Sequence, residues 1–354
     1  MNQATPDYDL LIIGGGINGV GIACDAAGRG LRVLLCEKSD LAAATSSWSS
    51  KLIHGGLRYL ENYDFGLVRK ALKEREILAG AARHIIRPMA FQIPMLANSR
   101  SSLLVRAGLF LYDNLAKRER FKGSRSITFG EASPLNSTVK KGFEYWDAQV
   151  DDSRLVILNA MAAAEKGAHI RTRTECTALR VENGLWTATL QDHVLNNEQS
   201  ITAKVVVNAS GPWVSALHER LLHDSSRYKL RLVKGSHIVV PRLYEGKNAF
   251  LLQHHDGRVV FVIPYLGKYS LIGTTEEEFN GDLDQVEISP AEVNYLVSIT
   301  NLYFKKPIHR DNIVHTFSGV RPLIDEESSA NASKVSRDYQ LVVDKSPAPM
   351  LSVY

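Results

Sequence analysis

Two rhythms of apolar and polar positions alternate along the chain. Leu10 to Ile13 is an unbroken apolar run, the pattern of a parallel strand covered on both faces. A glycine turn and a helical stretch follow. The helix stops near Gly28-Arg29-Gly30, and Arg32 to Cys36 predicts a second short strand. Asp64 to Arg83 sets Leu67, Val68, Ala71, Leu72, Ile77 and Leu78 at helical spacing, with charges opposite them. Pro88 closes that helical region, and Met89 to Leu96 reads as a strand of a different unit. Leu103 to Arg120 predicts a helix, apolar early and basic late at Lys117, Arg118 and Arg120. Such a segment is either core or a membrane-surface or partner element.

Beyond this point the helix Ser153 to Lys166, with Asp152 as N-cap, closes at Gly167 and feeds a strand from Ala168. Cys176 to Val207 reads as a β-meander with a turn at Asn183-Gly184. Val205 to Val207 then enters the small-residue turn Asn208-Ala209-Ser210-Gly211, repeating the logic of the opening stretch. Leu230 to Thr275 carries several strand segments with no helix between them, which predicts an antiparallel sheet. Ser289 to Phe304 predicts a helix with Pro290 in its first turn. His315 to Pro322 is a strand end or loop, and Gln340 to Asp344 a late strand. The fold class is mixed α/β, with a βαβ nucleotide unit and a second domain on an antiparallel sheet.

Composition narrows the function. A chain of 354 residues is long enough for two domains. Its net charge of +4 suits anionic small ligands or an anionic membrane surface. No basic run with interleaved aromatics supports nucleic-acid binding. The three cysteines, Cys24, Cys36 and Cys176, are scattered without a CxxC, so a disulfide framework or zinc site is not expected and a reducing compartment is. His254 and His255 lack a carboxylate or cysteine at ligand spacing, so no metal is assigned. The N-terminus shows no signal-peptide pattern, and no apolar run approaches the roughly 18–20 residues of a membrane span.

The chemistry begins at Gly14, Gly16 and Gly19, spaced as GxGxxG between the first strand and the helix. The first glycine makes the tight turn, the second lets backbone approach a pyrophosphate, and the third lets helix pack on strand. The helix N-terminus offers N–H groups and partial positive charge to the phosphates. Glu37 ends the second strand, where a carboxylate can accept from adenosine ribose hydroxyls. Ala42 to Ser50 is a run of small and hydroxyl residues suited to wrapping an extended polar ligand. It leads directly into Lys51-Leu52-Ile53-His54-Gly55-Gly56-Leu57-Arg58-Tyr59.

These stretches together resemble FAD-dependent glycerol-3-phosphate dehydrogenase, the membrane-associated type that feeds quinone. The resemblance covers essentially the whole chain. It rests on IGGGINGVGIACDAAGRGL, ATSSWSSKLIHGGLRYLE, GFEYWDAQVDDSRLV, VVNASGPW, VKGSHIVVP, FVIPY with LIGTT, and SGVRPL. It implies a D-amino-acid-oxidase-like fold, with a discontinuous FAD domain at 1–85, 145–220 and 310–354 and a substrate domain at 86–144 and 221–309. The family continues beyond the position of Tyr354 with a Gly-Gly-Lys-Leu-Thr-Thr-Tyr-Arg segment and a helical C-terminal domain, which this chain is expected to lack.

Carried over by resemblance, Gly14, Gly15, Gly16, Asn18 and Gly19 hold the FAD pyrophosphate, and Glu37 and Lys38 the adenosine end. Thr45, Ser46, Ser47 and the stretch Lys51, Leu52, His54, Gly55, Gly56 run along the cofactor towards the flavin. Cys176 sits near the adenine, and Ala209, Ser210 and Gly211 complete the groove. Arg58, Tyr59, His237 and Arg321 line the substrate pocket. The implied reaction oxidises sn-glycerol 3-phosphate to dihydroxyacetone phosphate by hydride transfer to flavin N5. Arg58 and Arg321 serve the phosphate or a developing alkoxide, and His237 is the candidate base. His54 is expected to pack near the flavin. The implied partners are quinone and the inner face of the cytoplasmic membrane, approached from the cytoplasm, with a homodimer left open. Two rival readings stand beside this one: a flavin oxidase of a related substrate using oxygen, and a catalytically silent FAD-binding fragment.

Overall fold

The computed structural model describes residues 5–96, 100–223, 228–325 and 338–354. Residues 1–4, part of the signal-peptide reading, and 326–337, assigned above to the FAD domain, lie outside the described residues. So do 97–99 and 224–227, assigned to the substrate domain. The opening apolar run becomes the strand Tyr8–Ile13, with Leu11 and Ile12 fully buried. Burial on both faces follows from its place in the middle of a parallel sheet. Val33–Cys36 pairs on one side and the end of Asn197–Asn208 on the other. His169–Arg171 and Met350–Val353 extend the parallel sheet outward, and Leu341–Asp344 closes one edge antiparallel.

Two layers cover this sheet. On one face the helices Ile17–Gly28 and Asp152–Glu165 approach through alanines, with Ala23, Ala27, Ala160 and Ala163 in one buried cluster beside Val20 and Val156. On the other face the meander Thr174–Glu182, Leu185–Asp192 and Asn197–Asn208 packs around Trp186, whose indole N–H donates to the Pro349 carbonyl at 2.8 Å.

The second sheet is built on Leu230–Pro241, which pairs antiparallel with His315–Ile324 and with Tyr269–Gly273. Val259–Tyr265 and Ala249–Gln253 follow, and then Ile86–Met95 and Lys141–Val150. Alternation sends Ile238, Val240, Leu252 and Val262 to one face, against the helix Pro290–Tyr303. Val239, Leu251, Ile263 and Leu271 face the opposite way, against Phe65–Ala81 and Ser102–Asn114.

The structure moves several sequence-derived boundaries. Lys141–Val150 pairs along its length with Ile86–Met95, and His315–Ile324 pairs with Leu230–Pro241. The antiparallel sheet therefore reaches 150 and 324, past the expected breaks at 144 and 309. Pro88 lies inside a strand opposite Ala148. The apolar-then-basic segment is helical over Ser102–Asn114, so its basic end follows the helix. Asp151, not Asp152, caps the next helix by accepting from the Arg154 N–H at 3.2 Å, and this leaves Asp152 to a different role.

Candidate active site

The glycine turn is held by close backbone approaches and by side-chain acceptors. Gly14 has φ +117°, and a Cβ there would stand 2.5 Å from the Ala209 carbonyl oxygen. A Cβ on Gly19 would collide with the Gly14 carbonyl, so helix and turn touch only because both residues are glycine. Glu37 folds back on the turn, accepting from the Gly15 N–H at 2.7 Å and the Ser39 N–H at 2.8 Å. Ser46 Oγ accepts from the Ile17 N–H at 3.0 Å in the helix's first turn. A cavity of about 630 Å³ lies along this arrangement.

Gly14, Gly16, Asn18 and Ser46 line one wall of that groove, and Glu37, Lys38 and Cys176 line another. Ala209, Ser210 and Gly211 face them from the second small-residue turn, with Thr45 at the far end. Burial pushes the Cys176 thiol up to about 12, so it is an apolar wall element, and its carbonyl accepts from Arg220 at 3.3 Å. Lys38 reaches out to Asp284 at 2.8 Å and lies 4.8 Å from the Trp213 ring centroid, which ties a substrate-side loop over the groove. Asp284 carried no recognisable sequence signal.

A second cavity, about 910 Å³, shares Thr45, Trp48, Gly319 and Pro322 with the groove, so the two abut. Leu52, His54, Gly56, Arg58 and Tyr59 line it from the loop side, and Arg321 from the antiparallel sheet. Arg58 stands on the short helix Leu57–Asn62 and Arg321 on His315–Ile324, yet both guanidinium groups converge on Glu276. Arg58 Nη1 lies 3.0 Å from Glu276 Oε2, and Arg321 Nη1 lies 3.9 Å from Oε1. Gly235 clears the way, since a Cβ there would stand 3.1 Å from Arg321 Nη2.

Other expected site residues stand behind the walls. His237 is 1% exposed and lines neither cavity. Its Nε2 shares a hydrogen bond with Ser50 Oγ at 2.9 Å, and its ring stacks on Phe317 at 4.8 Å. The ring occupies space left by Gly273, its antiparallel partner, where a Cβ would collide with it. Burial first, then the charges of Arg321 and Lys51, lowers its pKa to about 3, so the imidazole is neutral. The expected direct base in the pocket wall is therefore corrected to a neutral imidazole one hydroxyl removed from it. Lys51 likewise turns away from the groove. Its Nζ binds the Ser47 carbonyl at 2.8 Å and Asp152 at 2.9 Å, which fixes the serine loop from beneath. Gly15, Gly19, Ser47 and Gly55 likewise line neither cavity.

Gly55 leads to a buried cluster that sequence reasoning missed. Its N–H donates to Tyr112 Oη at 2.7 Å, and Tyr112 in turn lies 2.8 and 2.9 Å from the two Asp147 oxygens. Arg75 pairs with Asp147, and all three side chains are nearly fully buried. Burial raises the Asp147 pKa despite Arg75, and it drives the Tyr112 phenol well above its usual range. Glu276 was missed too, as the first of three consecutive glutamates, Glu276 to Glu278. Ser50 was passed over as one serine among several.

The residues of the groove fit a flavin dinucleotide. A carboxylate such as Glu37 keeps lone pairs for ribose hydroxyls beyond its two backbone bonds. The Gly14 cradle has no room for a side chain, and the groove ends where the second cavity begins. Groove and cavity joined in this way define a dinucleotide-dependent oxidoreductase of mixed α/β fold. The chain belongs to the FAD-dependent oxidoreductase family, whose pattern matches residues 9–342, and FAD is its cofactor. A glycerol-3-phosphate dehydrogenase of Pseudomonas tolaasii is 54% identical over 98% of this chain and 68% of its own length. A D-erythritol 1-phosphate dehydrogenase of Brucella abortus is 49% identical over 98% of this chain and 70% of its own. The solved glycerol-3-phosphate dehydrogenase of Bacillus halodurans, complexed with FAD, superposes with a TM-score of 0.75 at 27% identity. That match covers 98% of this chain and 60% of the solved one.

Proposed function

We propose that this chain carries the catalytic core of a glycerol-3-phosphate dehydrogenase. In this reading it oxidises the C2 alcohol of sn-glycerol 3-phosphate to dihydroxyacetone phosphate and delivers the electrons to a membrane quinone. The observation that carries the reading is the convergence of Arg58 and Arg321 in a cavity abutting the dinucleotide groove. Each guanidinium offers a planar fork of donors matched to a phosphate, and two such forks from opposite walls fix the ester's orientation. FAD held along the groove would supply the hydride acceptor.

In this chain's own residues, Ser50 Oγ faces the cavity and passes the substrate's hydroxyl proton towards His237 Nε2, 2.9 Å away. Neutral imidazole can accept it, but its depressed pKa makes it a weak base. Stabilising the developing alkoxide therefore falls mainly to the arginines. Tyr59 closes the same wall beside Arg58.

No helix among the described residues is long and apolar enough to cross a membrane. The proposed contact is peripheral, at the cytoplasmic face, through Ser102–Asn114. That helix exposes Leu103 at 82%, Leu104 at 62% and Phe110 at 61%, and Leu104 borders the cavity mouth. Lys73, Lys117 and Arg118 line a neighbouring surface groove, where they suit anionic headgroups. Sedimentation with anionic vesicles at low salt, lost in Phe110→Glu, is the expected result; a chain that stays in the supernatant removes this face as the contact.

Anaerobic flavin absorbance tests the activity. Glycerol 3-phosphate is expected to bleach the flavin, while an amino acid and a 2-hydroxy acid leave it oxidised. The Brucella relative favours one second reading, a longer polyol phosphate, so D-erythritol 1-phosphate belongs in the same titration. Bleaching by that compound alone would transfer the assignment. Flavin bound but bleached by neither ester would identify a silent cofactor-binding unit, and reoxidation by oxygen as fast as by quinone would identify an oxidase.

A further inference from the structure

A carboxylate sits in the middle of the proposed phosphate site. Glu276 is 14% exposed at its side chain and meets both arginines, which are themselves only 27% and 31% exposed. The same cavity is lined by Arg100, paired with Glu61, and by Arg258, paired with Asp256, so without Glu276 the guanidinium groups of Arg58 and Arg321 would add two further positive charges in a setting where water screens poorly. Substrate and product of the proposed reaction carry the same phosphate. Any attraction to that phosphate holds both equally and does nothing for the chemical step, and excess attraction slows release.

We infer that Glu276 sets the affinity of the anion site by offsetting one guanidinium charge, so that phosphate esters are held by hydrogen-bond geometry and released after turnover. This rests on the proposed role of Arg58 and Arg321. The structure supports the division of labour. A guanidinium has five N–H donors in a fixed fork, and the contact with Glu276 engages Arg58 through Nη1, so one arginine can serve carboxylate and phosphate together. A plain anchor, holding the arginine side chains in place and nothing more, would show the same distances. Charge and anchor differ in the sign of one measurement.

The test is calorimetric titration of the FAD-loaded chain with inorganic phosphate and, separately, with nitrate, in wild type, Glu276→Gln and Glu276→Thr. Glutamine keeps the shape and an oxygen acceptor but removes the charge; threonine removes the charge and is too short to keep the carboxylate's place. Offsetting predicts that Glu276→Gln binds phosphate about tenfold more tightly or better, and nitrate by about half as much on a logarithmic scale, because Coulomb energy scales with ligand charge. Glu276→Thr moves in the same direction, and in turnover both variants lower KM. Phosphate affinity unchanged or weakened in the glutamine variant, with melting temperature and flavin spectrum as in wild type, overturns the inference and leaves Glu276 as an anchor. Failure of the dehydrogenase reading shows separately, as a flavin that glycerol 3-phosphate does not bleach although phosphate binding still responds to Glu276.

Discussion

The dinucleotide groove and the arginine cavity abut, yet they are made in opposite ways. The groove is mostly backbone. Its features come from two short stretches, Gly14 to Gly19 and Ala209 to Gly211, in which Gly14 and Gly19 permit contacts that any Cβ would block. The cavity is mostly side chains drawn from Arg58, Glu276 and Arg321, which meet only after the antiparallel sheet has formed. A backbone site tolerates almost no change at its glycines and says little about the substrate. A side-chain site tolerates change structurally, and its chemistry is set residue by residue.

The sharpest break of this contrast is Gly19→Ala. The new methyl would occupy the place of the Gly14 carbonyl, which neither turn nor helix can vacate. The expected outcome is a protein purified without flavin, read from its visible absorbance. Flavin retained at wild-type stoichiometry would show the turn to be more pliant than drawn. Arg321→Leu is expected to do the reverse, with full flavin content and kcat/KM for glycerol 3-phosphate reduced by about 10²–10³-fold, the scale of losing one charged donor to substrate and transition state. Kinetics close to wild type would take Arg321 out of the site.

This contrast also explains what was legible in the sequence. Glycine spacing, the strand before it and the acid after it form a local code, so Gly14, Gly16 and Glu37 could be placed before any fold was known. Arg58 and Arg321 were reached only by resemblance, since an arginine beside a glycine pair carries no intrinsic address. Glu276 and Asp147 were not reached at all. One lies in an acidic run and the other in an alternating strand, and what sets them apart is the partner that folding brings to each. His237 shows the limit from the other side. Its residue type allowed proton transfer, but its burial beside Gly273 depends on strand register, which one-dimensional spacing does not fix.

That burial makes a pH prediction. An unfolded histidine binds a proton below about 6.5, whereas folded His237 stays neutral down to about 3. Between these values the unfolded state holds the extra proton, so stability falls as pH falls, by up to about 1.4 kcal/mol per unit from this group. Between pH 6.5 and 5, wild type is therefore expected to lose about 2 kcal/mol more unfolding free energy than His237→Gln, measured by denaturant titration. Parallel pH dependence in the two proteins would mean that the imidazole is charged or solvated in the fold.

The smallest expected effect probes the seam between the two regions. The N–H of Gly55 is held by Tyr112, and Tyr112 by Asp147 and Arg75, so a buried cluster outside the cavity positions the His54-Gly55-Gly56 turn that forms part of its wall. Tyr112→Phe deletes one hydroxyl from that chain and leaves the ring packed against Tyr145, 5.9 Å between centroids. Losing a buried hydrogen bond costs about 1–2 kcal/mol, and the domain is expected to remain folded with its flavin. If the turn is positioned by the cluster, that loss shows as a several-fold rise in KM with a shifted flavin absorbance band. If the cluster serves stability alone, the melting temperature falls while KM and spectrum stay fixed. Only the first result would tie a side-chain network, assembled at long range, to the backbone turn beside the flavin.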